Sequence, residues 1–279
     1  MSVGRSWRTP AKHGLMNDIV GREVGAANSI DKITRLRWDD LTAGDGVVSD
    51  DLVWRENCSP GILAHHGRKA KKPLRITLFE IKPATYDRLL SNLSEQLPRL
   101  GYERANGGWC YGGLVELRSV LGNGAEVRLD GIRRSDAVLV SNDPNAITDW
   151  AMRPGFPAEV DGRTPWFRNV STMGCNPAGL KRLDRQTREG WFPLLADQEA
   201  SLPRHRDLLL AAIRRDDAQW AYLLCEPVKW RERVEREVAN EFRRHGKDVD
   251  LAWFRTQRDH YEDVKLRLFL TKTEREDPR

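Results

Sequence analysis

Cysteine is scarce in this chain. Cys58, Cys110, Cys175 and Cys225 are the only four in 279 residues, and they stand far apart with no Cys-x-x-Cys pair and no histidine at ligand spacing. That pattern excludes a disulfide framework and carries no zinc signature, so reduced thiols, no metal and a cytoplasmic location are expected. Long apolar runs are missing too: none approaches the roughly 20 residues needed to span a bilayer, and Met1 to Lys12 has no apolar core of the secretory-leader kind. No membrane partner is therefore expected. Neither repeats nor low-complexity tracts occur. Charge of one sign is not in large excess, because 46 basic and 41 acidic residues are mostly interspersed and leave a net charge of +5. A pI near 9.1 permits RNA or DNA as a partner without requiring either.

What the chain does have is a core. A hydrophobic fraction of 39% with ten tryptophans belongs to a folded globule, and 279 residues suffice for one large α/β domain or two small ones. Residues 1–30 read as an N-terminal arm with one short helix around Leu15 to Val20. A strand, Ile33 to Trp38, then runs through two carboxylates into Asp40-Leu41-Thr42-Ala43-Gly44-Asp45-Gly46. Glycines there allow positive φ and close approach of a ligand to the main chain. The carboxyl end of a strand is where open α/β sheets hold nucleotide-like ligands. The turn lacks the third glycine of Gly-x-Gly-x-x-Gly, Ser49 standing in its place, which counts against a dinucleotide oxidoreductase.

A loop from Val47 to Cys58 follows, and Ser59-Pro60 reads as N-cap and first residue of a helix. Leu74 to Phe79 is a strand ending in Glu80. After it Pro83 opens a helix whose Tyr86, Leu89, Leu90, Leu93 and Leu97 form an apolar stripe, stopped by Pro98 and Gly101. Leu114 to Leu117 and Ala125 to Leu129 read as strands joined by Gly122-Asn123-Gly124. Ala137 to Val140 is a strand that ends in Asn142-Asp143-Pro144-Asn145. From about 151 to 201 the chain is proline-punctuated and irregular, and it carries Trp166-Phe167-Arg168 and Lys181-Arg182. Aromatics interleaved with cations suit base stacking and phosphate neutralisation, although aromatics packed beneath a loop would look the same. Beyond it, Leu208 to Ile213 reads as a helix, Gln219 to Glu226 as a strand, Val228 to His245 as an amphipathic helix, and Asp250 to Phe254 and Val264 to Thr271 as strands, the last alternating like an antiparallel edge strand.

The glycine turn, the acidic strand end and the Asp-Pro strand end, in this order, resemble the class I S-adenosylmethionine-dependent methyltransferases over roughly Ile33 to Thr273. Similar arrangements occur in three-Cys-motif partner proteins and in adenine-N6 methyltransferases, and neither subfamily is singled out. The resemblance implies a Rossmann-like α/β sheet, mostly parallel with an antiparallel C-terminal strand and helices on both faces, over 31–279. It implies S-adenosylmethionine held by Asp40, Thr42, Ala43, Gly44 and Gly46 at its methionine end and by Glu80 at the ribose hydroxyls. Asn123 is the candidate for the adenine edge, with a turn residue at positive φ as its plainer role. Asn142, Asp143 and Pro144 would meet an exocyclic amino group of the acceptor. Asn145, Trp150, Trp166, Lys181 and Arg182 are candidates for holding a nucleic-acid substrate. Asn145 and Ala146 stand where the family places a second proline and an aromatic. The alternative is a scaffold that has lost catalysis and binds nucleic acid or a protein partner.

Overall fold

The structure, a computed structural model, describes residues 9–46, 58–124, 131–142, 164, 166–175, 199–200, 202–215, 218–244 and 249–269. They fall into two compact units, Met1–Asp143 with Gly162–Phe167, and Pro144–Asp161 with Arg168–Arg279.

In the first unit the sheet order is β6-β1-β2-β5-β4-β3. Its strands are β1 (Arg35–Asp40), β2 (Leu74–Glu80), β3 (Glu103–Ala105), β4 (Gly108–Tyr111), β5 (Val115–Leu121) and β6 (Asp136–Asn142). β1, β2, β5 and β6 are parallel, whereas β3 and β4 form an antiparallel edge. β6 is buried at every position, which explains its unbroken apolar run: a central parallel strand has no solvent face to alternate with. Chain order runs from β1 outward to β2 and β5, then returns to β6 on the other side of β1. Such a reversal leaves a crevice at the carboxyl ends of the strands flanking it.

Among the described residues three helices cover this sheet. α1 (Thr9–Ser29) is one helix of 21 residues, far longer than the short one expected in the arm, and it buries Leu15, Ile19, Val20 and Val24. α2 (Ser59–Gly67) has Cys58 as its N-cap, so Ser59 and Pro60 each stand one position further into the helix than the sequence reading placed them. α3 (Pro83–Arg99) buries Leu89, Leu93 and Leu97, the expected stripe. The strand expected from Ala125 to Leu129, and with it the pairing across Gly122-Asn123-Gly124, lies outside the described residues. β5 pairs with β2 in parallel through Leu121, and a hairpin lies earlier, between β3 and β4. Its turn is Asn106-Gly107, both with positive φ (48° and 72°), the backbone that Asn-Gly favours.

The second unit carries β7 (Trp166–Cys175), β8 (Arg206–Arg215), β9 (Ala218–Pro227), a 3-10 turn (Val228–Trp230), α4 (Arg231–Arg244), β10 (Val249–Trp253) and α5 (Arg258–Phe269). The first two residues of β7 belong to the first unit. β9 runs antiparallel to both β7 and β8, and β10 pairs antiparallel with β8. Three expectations change here. Leu208 to Ile213 is strand, because Leu208 to Ala212 is buried on both faces and has no helical polarity to show. Val264 to Phe269 is helix rather than strand: Tyr261, Val264 and Lys265 are its buried positions, at i, i+3 and i+4. A ten-residue strand, β7, lies within the tract read as irregular.

Candidate nucleoside-cofactor site

The ends of β1, β2 and β6 meet at the crevice. Asp40 stands opposite Leu78 of β2 and Ser141 of β6, so Glu80 lies two residues further along one neighbour and Asn142 one residue further along the other. Leu41 N–H donates to the Ser141 carbonyl and Ala43 N–H to the Phe79 carbonyl, both at 2.9 Å. The turn is thus fastened to both flanking strands. This corrects one expectation: the Ala43 amide is already committed to β2 and is not available to a ligand. Asp40 is buried, and its Oδ1 accepts the Thr42 N–H at 3.3 Å.

Gly44 and Gly46 have φ of 67° and 63°, conformations costly for any residue with a Cβ. Their surroundings differ. A Cβ on Gly44 would meet nothing within 4 Å, whereas one on Gly46 would sit 3.0 Å from Leu89 of α3. Gly44 therefore borders open space and Gly46 packs on a helix. Asn92 Nδ2 donates to the Asp45 carbonyl at 2.7 Å, and Arg88 Nε lies 3.5 Å from the Asp45 carboxylate. From the other side Cys58 Sγ lies 3.8 Å from the Gly46 carbonyl and accepts the Gly61 N–H at 3.4 Å. The N-terminus of α2 is thereby returned to the glycine turn, despite the residues intervening between Gly46 and Cys58.

Glu80 is buried at the end of β2, and its Oε1 accepts the Lys82 N–H at 2.8 Å ahead of α3. Gly122 N–H donates to the Glu80 carbonyl at 3.0 Å, and exposed Asn123 follows it in the chain. Among the described residues only Asn106 is a non-glycine at positive φ, so Asn123 does not have the plainer role foreseen for it. Gly124 fits against the turn: a Cβ there would lie 2.7 Å from Leu41 Cα and collide with the Leu41 carbonyl. Next to Glu80, Ile81 is 59% and Leu121 48% exposed. Nothing in the sequence singles out these two apolar side chains, which only the ends of β2 and β5 bring beside Glu80. A carboxylate acceptor beside exposed apolar surface matches the polar and flat faces of a nucleoside.

On β1, Arg37 Nε lies 2.6 Å from Asp39 Oδ2. Burial pushes the Asp39 carboxyl above its ordinary range, and Arg37 opposes the shift. Asn142 is buried at the end of β6. Trp166 is not brought to it. Trp166 N–H donates to Thr164 Oγ1 (3.1 Å), which donates to the Asp136 carbonyl (2.6 Å), at the opposite end of β6. Strand rise puts that about 20 Å from Asn142. Asp143, Pro144, Asn145, Trp150, Lys181 and Arg182 lie outside the described residues. Among the described residues no group of three or more His, Cys, Asp or Glu side chains could hold a metal ion, and no helix is long and apolar enough to cross a membrane.

No family model and no curated protein matches the sequence. Solved structures do. Protein LPL1258 from Legionella pneumophila superposes with a TM-score of 0.50 at 10% identity, covering 88% of this chain and 97% of its own. An rRNA methylase from Streptococcus thermophilus gives 0.38 at 9% identity, covering 75% and 95%. The human methyltransferase 10 domain containing protein gives 0.35 at 12%, covering 80% and 84%. The reversal at β1 and the parallel strands around it give the first unit a Rossmann-like α/β fold, and the second unit carries an antiparallel β9 between β7 and β8.

Proposed function

We propose that this protein is an S-adenosylmethionine-dependent methyltransferase whose acceptor is an exocyclic amino group in nucleic acid. The observation that carries the reading is the convergence at one crevice of a glycine turn open at Gly44, a strand-end carboxylate at Glu80 and a buried amide at Asn142. The residues fit the cofactor. The space beside Gly44 is open to a ligand, since a Cβ there would meet nothing within 4 Å, and Asp40, Asp45 and Glu80 put negative charge around a site meant for a cationic ligand. When bound, S-adenosylmethionine supplies an electrophilic methyl group. Glu80 accepts the ribose hydroxyls, Ile81 and Leu121 shield the base from water, and Asp40 and the Gly44 backbone hold the methionine end. Asn142 with Asp143 and Pro144 orients the acceptor amine. Positioning of this kind lowers a displacement barrier by several kcal/mol without a covalent intermediate on the protein.

Calorimetric titration with S-adenosylmethionine and its demethylated product, with NAD as control, tests the reading. Selective binding is expected, and Glu80→Ala should weaken it by about 1–3 kcal/mol, the worth of hydrogen bonds to a charged acceptor. Asp143→Ala should abolish turnover of a labelled methyl group and leave the cofactor dissociation constant nearly unchanged. Wild-type protein that is folded and binds neither ligand would instead favour the scaffold without catalysis.

A further inference from the structure

We propose that the surface around the first turn of α4, in the second unit, holds the phosphate backbone of a single-stranded nucleic acid. The proposal rests on the acceptor class given above and adds where that acceptor is gripped. An open cleft of about 760 Å³ lies there, lined by the cations Lys229, Arg231, Arg233 and Arg236, with the acids Glu232 and Glu235 among them, and by Thr256 and Gln257. Lys229, Arg233, Arg236, Thr256 and Gln257 are exposed, as are Arg255 and Arg258 on the following turn.

The placement of these cations works against the helix. The first turn of α4 carries Arg231 and Arg233 against the single acid Glu232, and Lys229 just precedes it. Cations at a helix N-terminus face the positive end of the peptide dipoles and destabilise it. A bound anion removes that repulsion. The acids nearby are partly committed within the unit: Glu235 accepts the Trp253 indole N–H at 3.1 Å, and Glu237 takes Arg233 at 3.0 Å. Arg231 pairs with the buried Asp207 at 2.6 Å. Yet its Nε is buried with no hydrogen-bond partner among the described residues. Lys229 lies over the half-buried Trp230 ring at 5.6 Å, so a flat aromatic accompanies the charges. Cations that track a backbone beside an aromatic, with hydroxyl and amide groups between them, are the components of sequence-tolerant single-strand binding.

The test is fluorescence anisotropy of an oligouridylate about 20 nucleotides long, over a series of salt concentrations and without cofactor. The triple variant Lys229→Glu, Arg233→Glu, Arg236→Glu should bind at least about tenfold more weakly. Its plot of log affinity against log salt should be shallower by about 2, from three lost contacts at about 0.7 each. The milder Lys229→Ala, Arg233→Ala pair should fall between it and wild type, which keeps the test valid if charge reversal disturbs folding. A charge-matched control in the first unit, Lys71→Glu, Arg99→Glu, Arg118→Glu, should stay within about twofold of wild type. Unchanged affinity in both surface variants, or an equal loss in the control, overturns the proposal. Cofactor titration on the same samples is independent of it. A failure there refutes the methyltransferase reading and leaves the nucleic-acid measurement standing.

Discussion

Gly124 shows how much of the crevice depends on a single missing side chain. It lies against the Leu41 backbone, and the atoms in the way belong to main chain that is itself fastened to β6. Gly124→Ala must displace either the segment after β5 or the start of the glycine turn. Overpacking of that kind costs about 1–3 kcal/mol. A lower urea midpoint together with weaker cofactor binding is expected, while Gly122→Ala, with only a Val120 methyl at 3.8 Å, should lower neither by comparison. At this scale the sequence was partly legible. Gly44 and Gly46 could be read as positive-φ positions, because a glycine-rich turn after a strand has few other uses. Gly124 could not, because its reason for being glycine lies in Leu41, 83 positions earlier. Asn106-Gly107 is a turn signal, but the strands it joins, of three and four residues, are too short to show an alternation around it.

α1 and α2 depend on one another at the scale of elements. His66 Nε2 lies 2.8 Å from Asn17 Oδ1, and Gly21 leaves room for the imidazole, since a Cβ there would be 2.9 Å from His66 Cε1. Burial, reinforced by Lys69 and His65, lowers the His66 pKa from 6.5 to about 4. The folded value lies below the unfolded one, so the unfolded chain takes up the proton first as pH falls. His66 therefore contributes stability above about pH 6.5 that is lost progressively toward pH 4 and is flat below it. The loss is on the order of 2 kcal/mol after allowance for solvent near the ring. Melting temperatures between pH 7 and pH 4 should fall less steeply for His66→Gln than for the wild type. An equal slope would show that other groups dominate acid sensitivity. The packing of α1 explains why its length escaped the sequence reading. Gly14, Gly21 and Gly25 interrupt the helical signal, and tertiary contact with α2 outweighs their low propensity. β8 failed for the converse reason, an apolar run too uniform to show either period.

Across the whole molecule, the first unit was the more readable. The strands β1, β2 and β6 announce themselves by apolar residues closed by carboxylates or amides. The antiparallel strand expected at the C-terminus exists as β9, some forty residues before the place chosen for it, because Leu266, Leu268 and Leu270 imitate a strand's alternation. The substrate side was not legible: base-stacking from Trp166 required it to be near Asn142, and only the Thr164 bridge to Asp136 reveals that it starts its strand at the other end.

The return of Cys58 to Gly46 has a bearing on how this site can change. The two ends of the segment 47–57 are held together by the Cys58 thiol and the Gly46 carbonyl, while β2, β6 and α3 fasten the turn before it. Lengthening a loop whose ends are already joined costs little, about 0.6 kcal/mol for each doubling. Material can thus be spliced in beside the crevice with little penalty to its frame. That makes the stretch between Gly46 and Cys58 an inexpensive place for a lineage, or an engineer, to graft new recognition next to an unchanged frame.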